Sequence, residues 1–183
     1  MGVCMKTVHH GHCTCGYVQY NLTAPPLIVH CCHCSWCQRE TGTAFATNAL
    51  IEDHHLHITH GEIETIDTPT RSGSGQKIAR CPKCYVALWS HYVRVYKRVS
   101  FIRVGTLTEP HRCLPDVHVF TSTKQPWIVL PENIPAYKGI YIRSKTWSPE
   151  SIQRIELLNA TKKINLCLLT KNPMSHSASC GEA

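Results

Sequence analysis

The chain has 183 residues, a hydrophobic fraction of 43% and a formal net charge of +7. That length suffices for one domain with a real core, and the ordinary apolar content excludes disorder as the default state. No stretch approaches membrane-spanning length, no apolar leader precedes the first cysteines, and the basic residues are scattered rather than gathered in a stripe. The sequence therefore reads as that of a cytoplasmic protein with no membrane association and little support for nucleic-acid binding. Twelve cysteines are many for such a chain. In a reducing compartment, clustered cysteines are metal ligands before they are disulfides.

In chain order, His9-His10-Gly11-His12-Cys13-Thr14-Cys15-Gly16 is a C-x-C closed by glycine, its histidines read as solvated or partly packed imidazoles. Residues 17–23 alternate polar and apolar side chains as a half-buried strand, and Ala24-Pro25-Pro26 breaks it. Residues 27–32 form an apolar strand, 35–40 a turn or one helical turn, and 44–51 another strand. Short β-like segments follow at 55–60, 62–67, 76–80, 86–95, 99–107 and 117–123, separated by Gly, Pro and Ser clusters. Strands at that spacing predict a mainly β fold of several small antiparallel sheets. One helix is predicted, over about 149–164. Ser148 caps it, Pro149 and Glu150 suit its first turn, Ile152, Ile155 and Leu158 form its apolar face, and Glu150 pairs with Arg154. A Ser-rich, flexible tail is expected from about residue 172. The organisation is a zinc-bearing β domain over 1–140 and a C-terminal extension over 141–183, whose helix is a possible homodimer element.

The chemistry concentrates at residues 30–45. Cys32, Cys34 and Cys37 form C-x-C-x-x-C. The extended C-x-C puts two sulfurs on one face, and the C-x-x-C turn brings the third back to them. Three thiolates occupy three corners of a zinc tetrahedron and leave the fourth for water or substrate, unless a ligand from elsewhere closes the site; Cys113 is the reserve for that role. Cys81-Pro82-Lys83-Cys84 is a second knuckle, and with Cys13 and Cys15 it completes a closed, structural four-cysteine site. Cys31 and His33 alternate with Cys32 and Cys34 and so face the other way, which makes Cys31 a buried apolar residue rather than a ligand.

Taken together, Gly11-x-Cys13-x-Cys15-Gly16, then Cys32-His33-Cys34-x-x-Cys37-x-Arg39-x-x-Gly42-Thr43-Ala44-Phe45, then Cys81-Pro82-x-Cys84 resemble the glutathione-dependent formaldehyde-activating enzyme (GFA) family, also called the CENP-V/GFA family. Arg103-Val104-Gly105-Thr106-Leu107, His118-Val119-Phe120 and Pro126-Trp127-x-x-Leu130-Pro131 extend the likeness, and residues 147–154 resemble the C-terminal extension of some fungal members. The resemblance implies an Mss4-like fold, two zinc ions per chain (one structural, one catalytic) and carbon–sulfur lyase activity. Glutathione, free or conjugated to a small molecule, would be the partner. One departure stands out: Tyr85 occupies the position after the second knuckle cysteine, where the family commonly has glycine.

On this reading a zinc ion at the three-cysteine site binds substrate sulfur, which suits soft thiolate ligation. Acid–base candidates are His118, His33 and Tyr85. Arg39, the Thr41-Gly42-Thr43 turn and Phe45 are candidate substrate contacts. The alternative, from another class, is a non-catalytic zinc-stabilised module for protein or nucleic acid, which calls for a closed second site and a continuous basic surface. A third reading keeps the lyase chemistry and replaces the hydroxymethyl adduct with a larger glutathione conjugate.

Overall fold

A computed structural model describes residues 8–70, 72–92 and 98–170, with side chains to residue 160. Strands β1 (His9–His12), β2 (Gln19–Leu22) and β5 (Leu56–His60) form a three-stranded antiparallel sheet in the order β1-β2-β5. The second sheet has seven strands. It contains β3 (Ile28–Cys32), β4 (Ala46–Glu52), β6 (Glu64–Thr68), β7 (Gln76–Arg80), β8 (Ala87–Tyr92), β9 (Val99–Arg103) and β10 (Val117–Val119), in the order β10-β3-β4-β9-β8-β7-β6. Three α-helices complete the described chain: α1 (Ser35–Thr41), α2 (Arg143–Thr146) and α3 (Pro149–Thr170).

The fold is mainly β with one principal C-terminal helix, as the sequence predicts. The second sheet is larger than expected because β9 returns to pair with β4, joining the β6-to-β9 meander to the β3–β4 hairpin. It also holds one parallel pair, β10 on β3, where His118 lies opposite Cys31 and Val119 opposite Cys32. Local differences have local causes. The His/Cys-rich start is itself a strand, β1, because Gly11 lets Tyr20 cross it: a Cβ there would lie 2.2 Å from the Tyr20 ring. The predicted strand ends at 104–107 and 120–123 are 3-10 turns. Residues 93–95 of the predicted 86–95 strand, and the expected tail from 172, lie outside the described residues.

β3 and β9 are buried along their whole lengths, and β4 at every residue but the half-buried Thr47, so the large sheet has a core on each face. On one side Val29, Ala49, Ile51, Trp89 and Ile102 pack against Tyr20 and Leu22 of the small sheet. On the other, Ile28, Leu50, Phe101, Val117 and Val119 meet Tyr141, Trp147, Ile155 and Leu158. The C-terminal extension thus covers the second face. Ser148 caps α3 by accepting the Ser151 N–H at 3.2 Å, and the Ser151 hydroxyl donates to the Leu27 carbonyl at 2.7 Å. Arg154 pairs with Glu52 at 2.9 and 2.5 Å rather than with Glu150. Glu52 is 2% exposed, and a buried carboxylate demands a partner more strongly than a solvated one on the same helix.

His30 sits in the second core, its Nε2 2.5 Å from the Tyr141 hydroxyl, which also accepts the Trp147 indole N–H at 2.6 Å. Burial pushes its pKa from 6.5 down to about 4. As pH falls below 6.5, the unfolded chain takes up a proton that the folded protein refuses, so stability declines until about pH 4 and is then flat. At pH 5 this costs about 2 kcal/mol. The difference in pH slope of the urea midpoint between the native chain and His30→Gln isolates the contribution, and a slope unchanged by the substitution would assign the acid sensitivity to other groups.

Candidate metal centres and the adjoining cavity

The four sulfurs of Cys13, Cys15, Cys81 and Cys84 lie within 4.8 Å of one another. Gly16, at φ 73°, closes the turn after β1, and the β7–β8 connection brings the second knuckle beside it. The Cys13–Cys15 and Cys15–Cys81 sulfur separations are 3.5 and 3.7 Å. A zinc tetrahedron with bonds near 2.3 Å has edges of about 3.8 Å, so the four cysteines fit such an ion. Backbone N–H groups of Val18 and Lys83 point at the sulfurs of Cys13 and Cys81, at 3.2 and 3.4 Å, as thiolates require.

Tyr85 follows this knuckle at φ 60°, in the left-handed region where a side chain is disfavoured, and is 66% exposed. Its position answers the expectation that glycine suits this turn. Tyr85→Gly removes the steric cost and little packing, so we expect a stability gain of about 1 kcal/mol, read as a higher urea midpoint at constant m-value.

Cys32 ends β3, Cys34 caps α1, and Cys37 stands one turn into that helix; their three sulfurs also lie within 4.8 Å of one another. The Cys37 N–H donates to the Cys34 sulfur at 3.4 Å. Hydrogen bonds from the Cys32 and then the Cys37 thiols hold the Cys34 pKa far below its ordinary value, and the same contact with Cys34 pushes Cys32 up. The three sulfurs thus lie close enough to share protons, and a soft cation is the natural replacement for them. Among the described residues no fourth histidine, cysteine or carboxylate joins the triad. Cys113 is elsewhere, its sulfur 3.9 Å from His9 Nδ1.

The triad opens into a cavity of about 400 Å³. Trp36, Tyr92 and Phe120 give it an aromatic wall; Glu40, Thr70, Ser72, Gln76 and Arg103 supply polar groups. Arg103 comes from β9, buried along its length, and is itself only 9% exposed. Its Nη1 donates to Asn48 Oδ1 at 2.5 Å, while its Nε–H is buried with no hydrogen-bond partner among the described residues. No ion pair in the described structure engages it; the Cys37 pKa is pushed up to about 12, a hydrogen bond with Cys32 lowering it, the contact with Cys34 and burial raising it, and the Arg103 charge opposing that rise only weakly. Burial pushes the Tyr92 phenol up, so it faces the cavity as a neutral O–H. Glu40 is held by an ion pair with Arg80. Phe120 adopts φ 57°, an uncommon conformation for an aromatic residue, which sets its ring at the cavity wall.

The other sequence-predicted residues are distributed around this centre. Thr41, Phe45 and Tyr85 line a second cavity, also of about 400 Å³, which shares Glu40 and Arg103 with the first. Arg39 is exposed and lines neither cavity. Gly42 is the left-handed cap of α1 and spends its N–H on Gln38 at 2.8 Å, while the Thr41 and Thr43 hydroxyls donate to the carbonyls of Cys37 and Phe45, at 2.8 and 2.5 Å. The turn's donors are thus committed to its own backbone. His33 and His118 are buried together on the opposite face of β3, Nε2 to Nδ1 at 2.9 Å, and line neither cavity.

The sequence profile of the glutathione-dependent formaldehyde-activating enzyme family matches residues 8–123, well over half the chain. The chain belongs to this family. The mainly β architecture with metal-competent cysteine clusters is consistent with the Mss4-like fold. No curated protein matches. Among solved structures, that of a Rhodobacter sphaeroides protein from a structural-genomics programme aligns at 17% identity and a TM-score of 0.42, covering 70% of this chain and 99% of its own. At that level the likeness decides nothing about this GFA chain's chemistry.

Proposed function

We propose that this GFA-family protein is a zinc-dependent carbon–sulfur lyase that makes or breaks the bond between glutathione, or a similar thiol, and an electrophilic carbon. The observation that carries the reading is the three-sulfur cluster opening into a cavity beside a buried guanidinium that has no carboxylate partner among the described residues. A zinc ion held by Cys32, Cys34 and Cys37 would supply a Lewis-acid position for the substrate sulfur, stabilising it as a thiolate leaving group. Arg103, free of a carboxylate of its own, pairs with the carboxylate of a glutathione-type substrate and offsets the negative charge of the three thiolates. Trp36 and Phe120 exclude water from the reacting sulfur. Tyr92 holds a neutral hydroxyl where the carbon-bound oxygen of the adduct develops charge, and the Glu40 carboxylate moves the accompanying proton.

The substrate class runs from S-hydroxymethylglutathione to larger glutathione conjugates, and a cavity of about 400 Å³, which the glutathione part of either would largely fill, does not choose between them. The test is mass-spectrometric detection of glutathione released by the zinc-loaded protein. The panel holds S-hydroxymethylglutathione, read as an exchange rate, and conjugates with sulfur β to a carbonyl. Release from the conjugates that disappears in folded Cys34→Ala supports the reading. Acceleration of the hydroxymethyl exchange alone narrows the class to formaldehyde handling, and silence across the panel, with a fourth protein ligand on the second zinc, moves the protein to the binding-module class.

A further inference from the structure

Cys31 belongs to neither sulfur cluster, and its surroundings are unlike those of an apolar filler. Cys31 and Cys32 end β3, His33 follows it, and Cys34 caps α1 with extended backbone, so that Cys32 and Cys34 line the cavity while Cys31 and His33 do not. The parallel strand β10 then sets His118 directly beside Cys31. The result is a second ligand set back to back with the first. The Cys31 sulfur and one ring nitrogen each of His33 and His118 all lie within 4.8 Å of one another. The sulfur is 3.6 Å from His33 Nε2, which is 2.9 Å from His118 Nδ1.

Hydrogen bonding alone leaves this cluster poorly satisfied. One nitrogen of the His33–His118 pair donates to the other, so a single proton lies between the two inner nitrogens; among the described residues the outer nitrogens, His33 Nδ1 and His118 Nε2, have no partner with or without a cation. The three residues are 2%, 0% and 6% exposed. Three converging soft or borderline donors in so dry a place form a metal-binding arrangement: 3.6 Å between sulfur and nitrogen matches a ligand–ligand spacing of about 3.5 Å, and the 2.9 Å between the two nitrogens has to open by about half an ångström when a cation replaces the proton they share.

We propose that Cys31, His33 and His118 form a third metal site, distinct from the two cysteine clusters, which takes a soft monovalent cation, Cu⁺. Two observations select the metal. First, the donor set stops at three: no fourth histidine, cysteine or carboxylate joins it among the described residues, and burial leaves little room for water. Cu⁺ is content with three ligands, whereas Zn²⁺ in proteins is almost always four-coordinate. Second, one thiolate and two neutral imidazoles sum with Cu⁺ to zero charge. With Zn²⁺ they leave a net positive site, and the Lys124 ammonium already adds positive potential at His33. The proposal is independent of the lyase reading, because the cluster lines neither cavity.

The experiment adds Cu⁺ anaerobically to the zinc-loaded full chain, removes excess with a weak chelator, and counts both metals by mass spectrometry. The expected result is one retained copper per chain with zinc content unchanged, and a copper-edge absorption spectrum fitted by one sulfur and two nitrogen donors. Cys31→Ser should retain its zinc and lose copper affinity at least 100-fold. If Cys31→Ser does not fold, His118→Gln takes its place, and the absorption spectrum of the native chain needs no variant. No retained copper overturns the proposal. So does copper bound by sulfur alone with zinc displaced, or copper held equally by Cys31→Ser. A third equivalent of zinc that depends on Cys31 overturns the choice of metal.

Discussion

Cys81→Ala is expected to abolish folding at ordinary temperature. The residue is fully buried, and its sulfur lies among those of Cys13, Cys15 and Cys84. These four cysteines tie β1 to the β7–β8 connection, so a metal there binds only the folded chain and its binding energy becomes folding energy. Structural zinc contributes roughly 10–16 kcal/mol in apparent terms, as large as the whole stability of a domain at about 5–15 kcal/mol. Circular dichroism with metal analysis checks this: the variant should lose cooperative unfolding and retain less metal. A Cys81→Ala protein with native metal content and melting would show that the four cysteines do not hold the fold through a metal.

Arg103→Leu should leave the fold intact and lower kcat/KM about 100-fold or more. Leucine fits the apolar run of β9, and the described structure gives Arg103 no carboxylate whose charge would be orphaned. What is lost is the cation at the shared wall of both cavities. If Arg103 anchors the substrate carboxylate, a substrate amidated at that group should already be poor with the native enzyme and lose little more with the variant. Arg103→Lys should recover only part of the activity, since the second N–H of the guanidinium fork is missing. Equal activity of Arg103→Leu and the native protein would remove Arg103 from the site.

The three-sulfur cluster, and each half of the four-cysteine cluster, were legible because their cysteines are close in sequence; joining the two halves across about 65 residues rested on the cysteine census. C-x-C in extended chain and C-x-x-C in a turn bring sulfurs together whatever the rest of the fold does. The cavity was not legible, because its polar wall is assembled by strand register. Arg103, Tyr92 and Gln76 come from β9, β8 and β7, and only the long-range pairing of β9 with β4 brings β9 alongside the β3–β4 hairpin that leads to Cys32. Arg103 still carried a signal: an arginine in an apolar strand is a buried charge, and buried charges are kept where they have work.

Arg39 shows the converse. It stands next to the cysteines in sequence, but α1 is a true helix of seven residues rather than one turn. At 100° per residue, Arg39 points about 200° away from Cys37, whereas Glu40 comes round to about 300° and faces the cavity. Glu40 was passed over for the same reason that Arg39 was chosen, a reading of the segment as a turn. His33 and His118 were misplaced by a strand rather than a helix: the alternation that separated Cys31 from Cys32 applies to His33 as well, and it carries both histidines away from the reacting sulfur.

The central claim is that the three-sulfur cluster keeps a position open for a substrate thiol. Zinc-edge X-ray absorption on the zinc-loaded protein tests it without assuming a substrate. With one four-sulfur and one three-sulfur site, the mean count is about 3.5 sulfurs per zinc, and saturating glutathione should raise it to about 4. That rise should be absent when S-methylglutathione, which has no thiol, replaces glutathione. A count of four before any thiol is added, or a count that glutathione leaves unchanged, would contradict an open sulfur-activating centre.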